Sequence, residues 1–425
     1  MLLDIPAAGA ATSSLTTPLK STSQRPRTSF SFRPWVSGDG RFVAFDSDSA
    51  ALVAGDTNRV RDIFIHDNGA HTVTQVSVGT GGQQPNGDSQ RPTLSGDGRY
   101  VAFWSEADNL VEGDTNGVPD AFVYDRDTNV TRRVSVGPGG VQANGQSARP
   151  VISADGNLVA FESAASNLLE TGVLGSSSDT NKANDVFVHD ISRRETVRVS
   201  LASDGSQAVG DSERPSISPD GRFVAYQSEG ALEPSDENQA RDVYVRDLAS
   251  GAMERVSLGW GGTEGDAGSF SPSLSHDGRY VAFWSNARNL VSDDTNGAAD
   301  VFVRDRASGT TERVSLGSGG TEGDGNSSDP AISPDGRYVA FWSAATDLVA
   351  DDTNDVRDVF LVDRTDHRVE RVSLASDGDQ GDGDSFSPNI GGGGHLVAFD
   401  SAATTLVTGD SNRGSDIFIH TSDNP

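Results

Sequence analysis

Seven times along the chain two aspartates flank an asparagine in the spacing Asp-x-Asn-x-x-x-Asp. The copies are Asp56/Asn58/Asp62, Asp114/Asn116/Asp120, Asp179/Asn181/Asp185, Asp236/Asn238/Asp242, Asp294/Asn296/Asp300, Asp352/Asn354/Asp358 and Asp410/Asn412/Asp416. Oxygen donors at positions 1, 3 and 7, with a carbonyl near 5, resemble the first half of a calcium loop. The bidentate Glu at position 12 of an EF-hand is missing. The same residue types bond their own backbone in Asx turns, and a repeated turn would recur for that reason alone. Charge bears on the choice. The chain carries 62 acidic residues and a net charge of −29. Two aspartates in each of seven loops, left bare on one rim, would repel one another. Seven Ca²⁺ would bring −29 to −15. The expectation is therefore weak calcium sites, with Ca²⁺ as cofactor and Asx scaffolding as the alternative.

A second set breaks the repeat. Arg33, Arg91, Arg149 and Arg214 each precede a proline in the first four copies, where the last three carry Ser271, Asp329 and Ser387. An arginine fork takes a carboxylate or phosphate in bidentate fashion. If these residues ring one opening, they would bind an acidic glycan or a peptide carboxylate. The competing reading pairs each with a nearby acid, such as Glu213. Trp260 stands where other copies have small residues, as an exposed stacking side chain or as core. Gln84, Gln142, Gln207, Glu264, Glu322 and Gln380 recur in another loop, as structural links or as oxygens that complete the metal shell. No G-x-S-x-G, H-E-x-x-H or P-loop occurs. His66, His189 and His420 share one strand position in separate copies and read as structural. Carboxylates are too numerous to single out a glycosidase pair.

The elements that carry these residues follow from the repeat. Ser-Pro-Asp-Gly-Arg-Tyr-Val-Ala-Phe-Trp-Ser at 333–343 is its clearest copy. Its glycine recurs at Gly40, Gly98, Gly156, Gly221, Gly278, Gly336 and Gly394. Each unit reads as four strands, A to D, with Asp-Gly as the A–B turn. The long B–C and D–A loops share one face. Seven such sheets set radially predict an all-β fold, a seven-bladed β-propeller of four-stranded antiparallel blades. One domain, 1–425, is expected, with blades near 30–89, 90–147, 148–212, 213–269, 270–327, 328–385 and 386–425. The last copy stops after strand C, so an N-terminal strand within 13–22, at Leu15–Lys20, is expected to complete blade seven. Blade three carries an insertion around Thr171–Ser178. Trp104, Trp284 and Trp342 end strand B and are expected to pack between blades.

The run Ser-Pro-Asp-Gly-Arg-Tyr-Val-Ala-Phe resembles the repeat of the TolB-like, WD-repeat-like bacterial propellers over nearly the whole chain. That resemblance implies the fold and a secreted, periplasmic or cell-surface location, but no single activity. The acidic balance argues against nucleic acid and against adsorption to anionic lipid. No apolar run approaches the length needed to cross a bilayer. No signal peptide is visible, and the absence of cysteine excludes disulfides and thiolate chemistry. The regular repeats favour a non-enzymatic scaffold binding a protein or glycan on its B–C/D–A face. The alternative is a carbohydrate-active lyase or hydrolase with its site at the channel mouth.

Overall fold

The computed structural model describes residues 11–14, 29–169, 179–410, 412 and 414–421. They form seven four-stranded antiparallel sheets, each in the order A–B–C–D. Blade one is typical, with strands Ser31–Val36, Phe42–Ser47, Asp62–Asp67 and Thr72–Gln75. The A strands lie innermost and touch one another around the ring, the last (Ser385–Gly391) returning to the first. Blade seven takes its fourth strand from the N-terminus, but at Ala11–Ser14, paired with Asp416–Thr421. The expected closing strand at Leu15–Lys20 lies outside the described residues, as does the insertion at Thr171–Ser178.

The Val-Ala-Phe of strand B explains how blades stack. Val43 and Phe45 face blade seven, against Ala398 and Ile417, whereas Ala44 faces blade two with Val101 and Phe103. A small residue on one face thus meets a large one on its neighbour, as alternating side chains of a strand buried on both faces allow. Within each blade the strand B aromatic lies beside one from strand C. Phe103 and Phe122, for example, are fully buried with ring centroids 5.9 Å apart. Among the described residues no helix is long and apolar enough to cross a membrane.

The A–B turn shows why Ser-x-Asp-Gly-Arg repeats. In blade two Ser95 Oγ donates to Asp97 Oδ1 (2.7 Å) and accepts from the Tyr100 N–H, while the Arg99 N–H donates to Asp97. Gly98 has φ +68°, and an added Cβ would lie 2.3 Å from Phe42 of blade one. Gly98→Ala is expected to cost about 1–2 kcal/mol from left-handed strain alone, with the clash adding to it. A thermal midpoint no lower than that of the unsubstituted protein would contradict this packing.

Candidate functional site

The seven residues before the strand A prolines all have φ of 49–55°. Each sits where strand A slips register against strand B, for example between Phe32 and Trp35 and between Gln90 and Thr93. Such a bulge re-aims a side chain. Here it turns Arg33, Arg91, Arg149 and Arg214 together into one cavity of about 310 Å³ at the central channel. Ser271, Asp329 and Ser387 complete the ring, and Asp329 is the only carboxylate among the cavity-lining residues.

The bulge amides are held by a group that sequence reading missed. Where three copies end strand B in tryptophan, others carry Asp46, Glu162, Gln227 and Asp400. Each accepts the bulge N–H of the next blade. Asp400 takes Arg33 (3.1 Å), Asp46 takes Arg91 (3.2 Å), Glu162 takes Arg214 (2.9 Å) and Gln227 takes Ser271 (3.0 Å). The signal was the loss of tryptophan at that position. Trp342 packs edge-on to Phe386 of the next blade, and Trp284 stacks on Phe270 of its own blade (4.3 Å) while packing against the cluster shared with blade six.

Three of the four arginines have partners. Arg33 reaches Asp46 (3.3 Å), Arg149 reaches Glu162 (3.0 Å), and Arg214 reaches Asp329 (3.6 Å) and Ser271 Oγ (2.9 Å). Glu213 pairs with Arg241 instead. No side-chain hydrogen bond or ion pair is made by the Arg91 guanidinium among the described residues. Burial, then the like charges of Arg149, Arg33 and Arg214, pull Arg91 down to about 9. A cation so placed is relieved by an incoming anion.

Behind the wall, burial pushes Asp400 up to about 6 against the opposing hydrogen bonds from Ser387 and the Arg33 N–H. A carboxyl raised in the folded state stabilises below its ordinary value, and that contribution is lost as pH rises through 6. Asp400→Asn keeps an acceptor for the Arg33 N–H. It should therefore stabilise the protein by up to about 3 kcal/mol at pH 7.5 and leave it little changed at pH 4. Equal effects at the two pH values would contradict a raised Asp400.

The Asp-x-Asn-x-x-x-Asp loops form a second cluster, and both expectations for them find a counterpart. The asparagine is scaffolding. Asn116 Oδ1 accepts the Val118 N–H, and its amide donates to Ala143 O of the adjoining D–A loop (3.0 Å). The same pair of bonds recurs at Asn58, Asn181, Asn238, Asn296 and Asn354. The two aspartates build an acidic pocket, and a strand D arginine enters it. Arg133 Nη1 lies 3.1 Å from Asp114, 2.9 Å from Asp120 and 2.9 Å from Gln142 Oε1.

Arg198 serves Asp179 and Asp185 in the same way, Arg255 serves Asp236 and Asp242, Arg313 serves Asp294 and Asp300, and Arg371 serves Asp352 and Asp358. Asp236, Asp242 and Glu264 bring oxygens within 4.8 Å of one another, a group of the kind that could hold a metal ion. Arg255 Nη1 stands among them, 2.5 Å from Glu264. In blades two to six a guanidinium thus lies between the carboxylates of the expected calcium loops. In blades two, four and five the D–A loop Gln142, Glu264 and Glu322 complete the shell, around arginine.

Blade one differs. Its residue in that strand D register is Gln75, and burial pushes Asp62 up to about 6. In blade seven Asn412 donates to Asp416 (3.0 Å), and burial raises Asp410. Trp260 is 85 % exposed on its D–A loop and does not line the cavity. His66 and His189 bond neighbours in their own blades, and burial lowers both.

Comparison of the sequence with protein-family models and with curated proteins gives no match. Solved structures do match. An oligogalacturonate lyase in complex with manganese covers 98 % of this chain and 94 % of its own, at 14 % identity and a TM-score of 0.57. The β-propeller domain of the Trilobed protease from Pyrococcus furiosus, described as having an open velcro topology, covers 95 % of each chain at 11 % identity and a TM-score of 0.56. TolB from Acinetobacter baumannii covers 91 % of this chain and 65 % of its own, at 14 % identity and a TM-score of 0.42, and supports no further statement.

These likenesses show the fold alone. The chain is a propeller of the architecture expected from its repeat. They also correct the non-enzymatic expectation, which rested on the regularity of the repeats. An enzyme is among the propellers sharing this architecture end to end, so regular blades are no ground against catalysis.

Proposed function

We propose that this propeller is a carbohydrate-active enzyme whose site is the channel mouth and whose substrate is an acidic saccharide. The observation that carries the reading is the Arg91 guanidinium, unpaired among three other arginines that face one cavity. A uronate carboxylate supplies the bidentate acceptor such a fork requires.

The cavity favours elimination over hydrolysis. Hydrolysis with two carboxylates needs both to face the sugar, whereas Asp329 alone lines this cavity. A lyase needs one base for the proton α to the carboxylate, and cations for the charge that develops there. Asp329, held by Ser271 Oγ (3.1 Å) and the Trp342 indole (3.2 Å) and 3.6 Å from Arg214, is the residue for the first role. The four arginines take the second. The end-to-end match with an oligogalacturonate lyase supports a polyuronate as the first substrate to try. The proposal includes a secreted, periplasmic or surface location, as the resemblance of the repeat implies.

The test is incubation with oligogalacturonate, following new reducing ends and the ultraviolet absorbance of the unsaturated product. Elimination yields both together, and Asp329→Asn should lower both by at least about 100-fold, as loss of a general base does. Reducing ends without unsaturation would replace the lyase with a hydrolase. Neither signal from oligogalacturonate or other acidic saccharides would overturn the reading.

A further inference from the structure

Blade one has the acidic pocket of its neighbours without their arginine. In blade two Asp114 Oδ1, Asp120 Oδ2 and Gln142 Oε1 all converge on Arg133 Nη1. Their counterparts in the repeat are Asp56, Asp62 and Gln84, and beyond the effect of burial Asp56 lies close enough to Asp62 to push its carboxyl up. Asp62 is fully buried and Asp56 is 7 % exposed. Asp56 Oδ1 and Asp62 Oδ2 have no hydrogen-bond partner, although Asp62 Oδ1 is held by Ser77 Oγ at 2.7 Å. Buried oxygens in other blades also lack hydrogen bonds, but those of Asp179, Asp294 and Asp352 lie within 3.6 Å of an arginine. Gln75 cannot replace that charge. Its amide pairs with the Gln84 amide, at 2.8 and 3.3 Å, and its hydrogen-bonding influence on Asp62 does not offset the effect of burial.

We infer that blade one binds one divalent cation of the calcium type between Asp56 and Asp62, in the place that a guanidinium takes in blades two to six. The donors suit a hard ion. Two carboxylates and an amide oxygen, completed by water, are calcium ligands rather than those of a soft metal. Charge gives the same answer. Two buried carboxylates facing each other without a cation carry a cost that a bound ion removes. Gln84 Oε1 accepts from the Gln75 amide at 3.3 Å and would exchange that bond for the ion. The inference is independent of the channel mouth, which is built from other residues.

The internal comparison supplies the experiment. Gln75→Arg installs the side chain that five blades already accommodate, so it should fold. Calcium binding to the chelator-treated full chain is measured by calorimetry, beside the thermal midpoint with and without CaCl₂. The unsubstituted protein should bind calcium with Kd of about 0.1–1 mM, the range of extracellular modules. Gln75→Arg should lose one equivalent, and its midpoint without calcium should match or exceed that of the unsubstituted protein. Asp56→Asn should lose the same equivalent without gaining stability from a new cation. Any equivalent bound elsewhere, as in blade seven, would survive both changes. No calcium binding up to several millimolar, or the same number of equivalents in Gln75→Arg as in the parent, would overturn the inference.

Discussion

Arg255→Ala is expected to destabilise the propeller by about 3–5 kcal/mol, the cost of stripping one partner from a buried ion cluster. The Arg255 side chain is 3 % exposed, and its Nη1 stands between Asp236 (3.4 Å), Asp242 (3.4 Å) and Glu264 (2.5 Å). Its Nη2 also donates to Ser235 O at 3.0 Å. Alanine leaves three carboxylates converging with no counter-charge. Lysine, a point charge without the fork, should recover only part of the loss. Burial already raises Asp236 and Asp242 above the ordinary carboxylate value. Removing the cation raises them further, so the loss should be largest at pH 7–8 and shrink toward pH 5 as protons replace the arginine. Thermal unfolding at the two pH values checks both size and sign. A loss below about 1 kcal/mol would mean that the cluster is an ordinary surface ion network.

The second large effect is functional. Arg91→Ala combined with Arg149→Ala should reduce kcat/KM for an acidic oligosaccharide, or its affinity if turnover is too slow to measure, by at least about 100-fold. A charge-assisted hydrogen bond is worth about 1.5–3 kcal/mol, and two such groups are removed. Stability should move differently. The Arg91 guanidinium makes no hydrogen bond or ion pair among the described residues, and its removal relieves repulsion from Arg149, Arg33 and Arg214 that outweighs the attraction of Asp46. Arg91→Ala alone should thus leave the thermal midpoint unchanged or raise it while weakening the ligand. That pairing of signs separates a binding residue from a structural one. Binding should also weaken with added salt, as an attraction between charges does.

The fold was legible because it is written seven times. The Gly spacing, the Val-Ala-Phe strand and the Asp-Gly turn each recur with the same job, and the blades follow. The closing strand was legible as an N-terminal one, but its exact span was not, because it has no second copy. Ser14 pairs opposite Phe418, in a stretch of Ala, Thr and Ser whose small side chains specify register weakly. The four mouth arginines were legible as a break in symmetry, and the structure brings all four into one cavity.

The strand D arginines were visible too, but a charge on an outer strand reads as exposed. That Arg313 reaches over Asp300 and Glu322 of its own blade is a fact of cross-strand and loop packing. Once that is known, Gln75 stands out as the glutamine in a column whose next five members are arginines. Asp46, Glu162 and Asp400 went unnoticed for a related reason. In sequence they are three more acids in an acidic chain, and only the bulge geometry gives them backbone N–H groups to hold.

The most direct test of the central claim is calorimetric titration of a short oligogalacturonate into the full chain and into Arg91→Ala, at low and high salt. One ligand per chain is expected, bound more weakly in high salt and at least tenfold more weakly by Arg91→Ala. The absence of binding to the unsubstituted protein, or equal affinity in the two proteins, would contradict a channel mouth built to recognise an acidic saccharide.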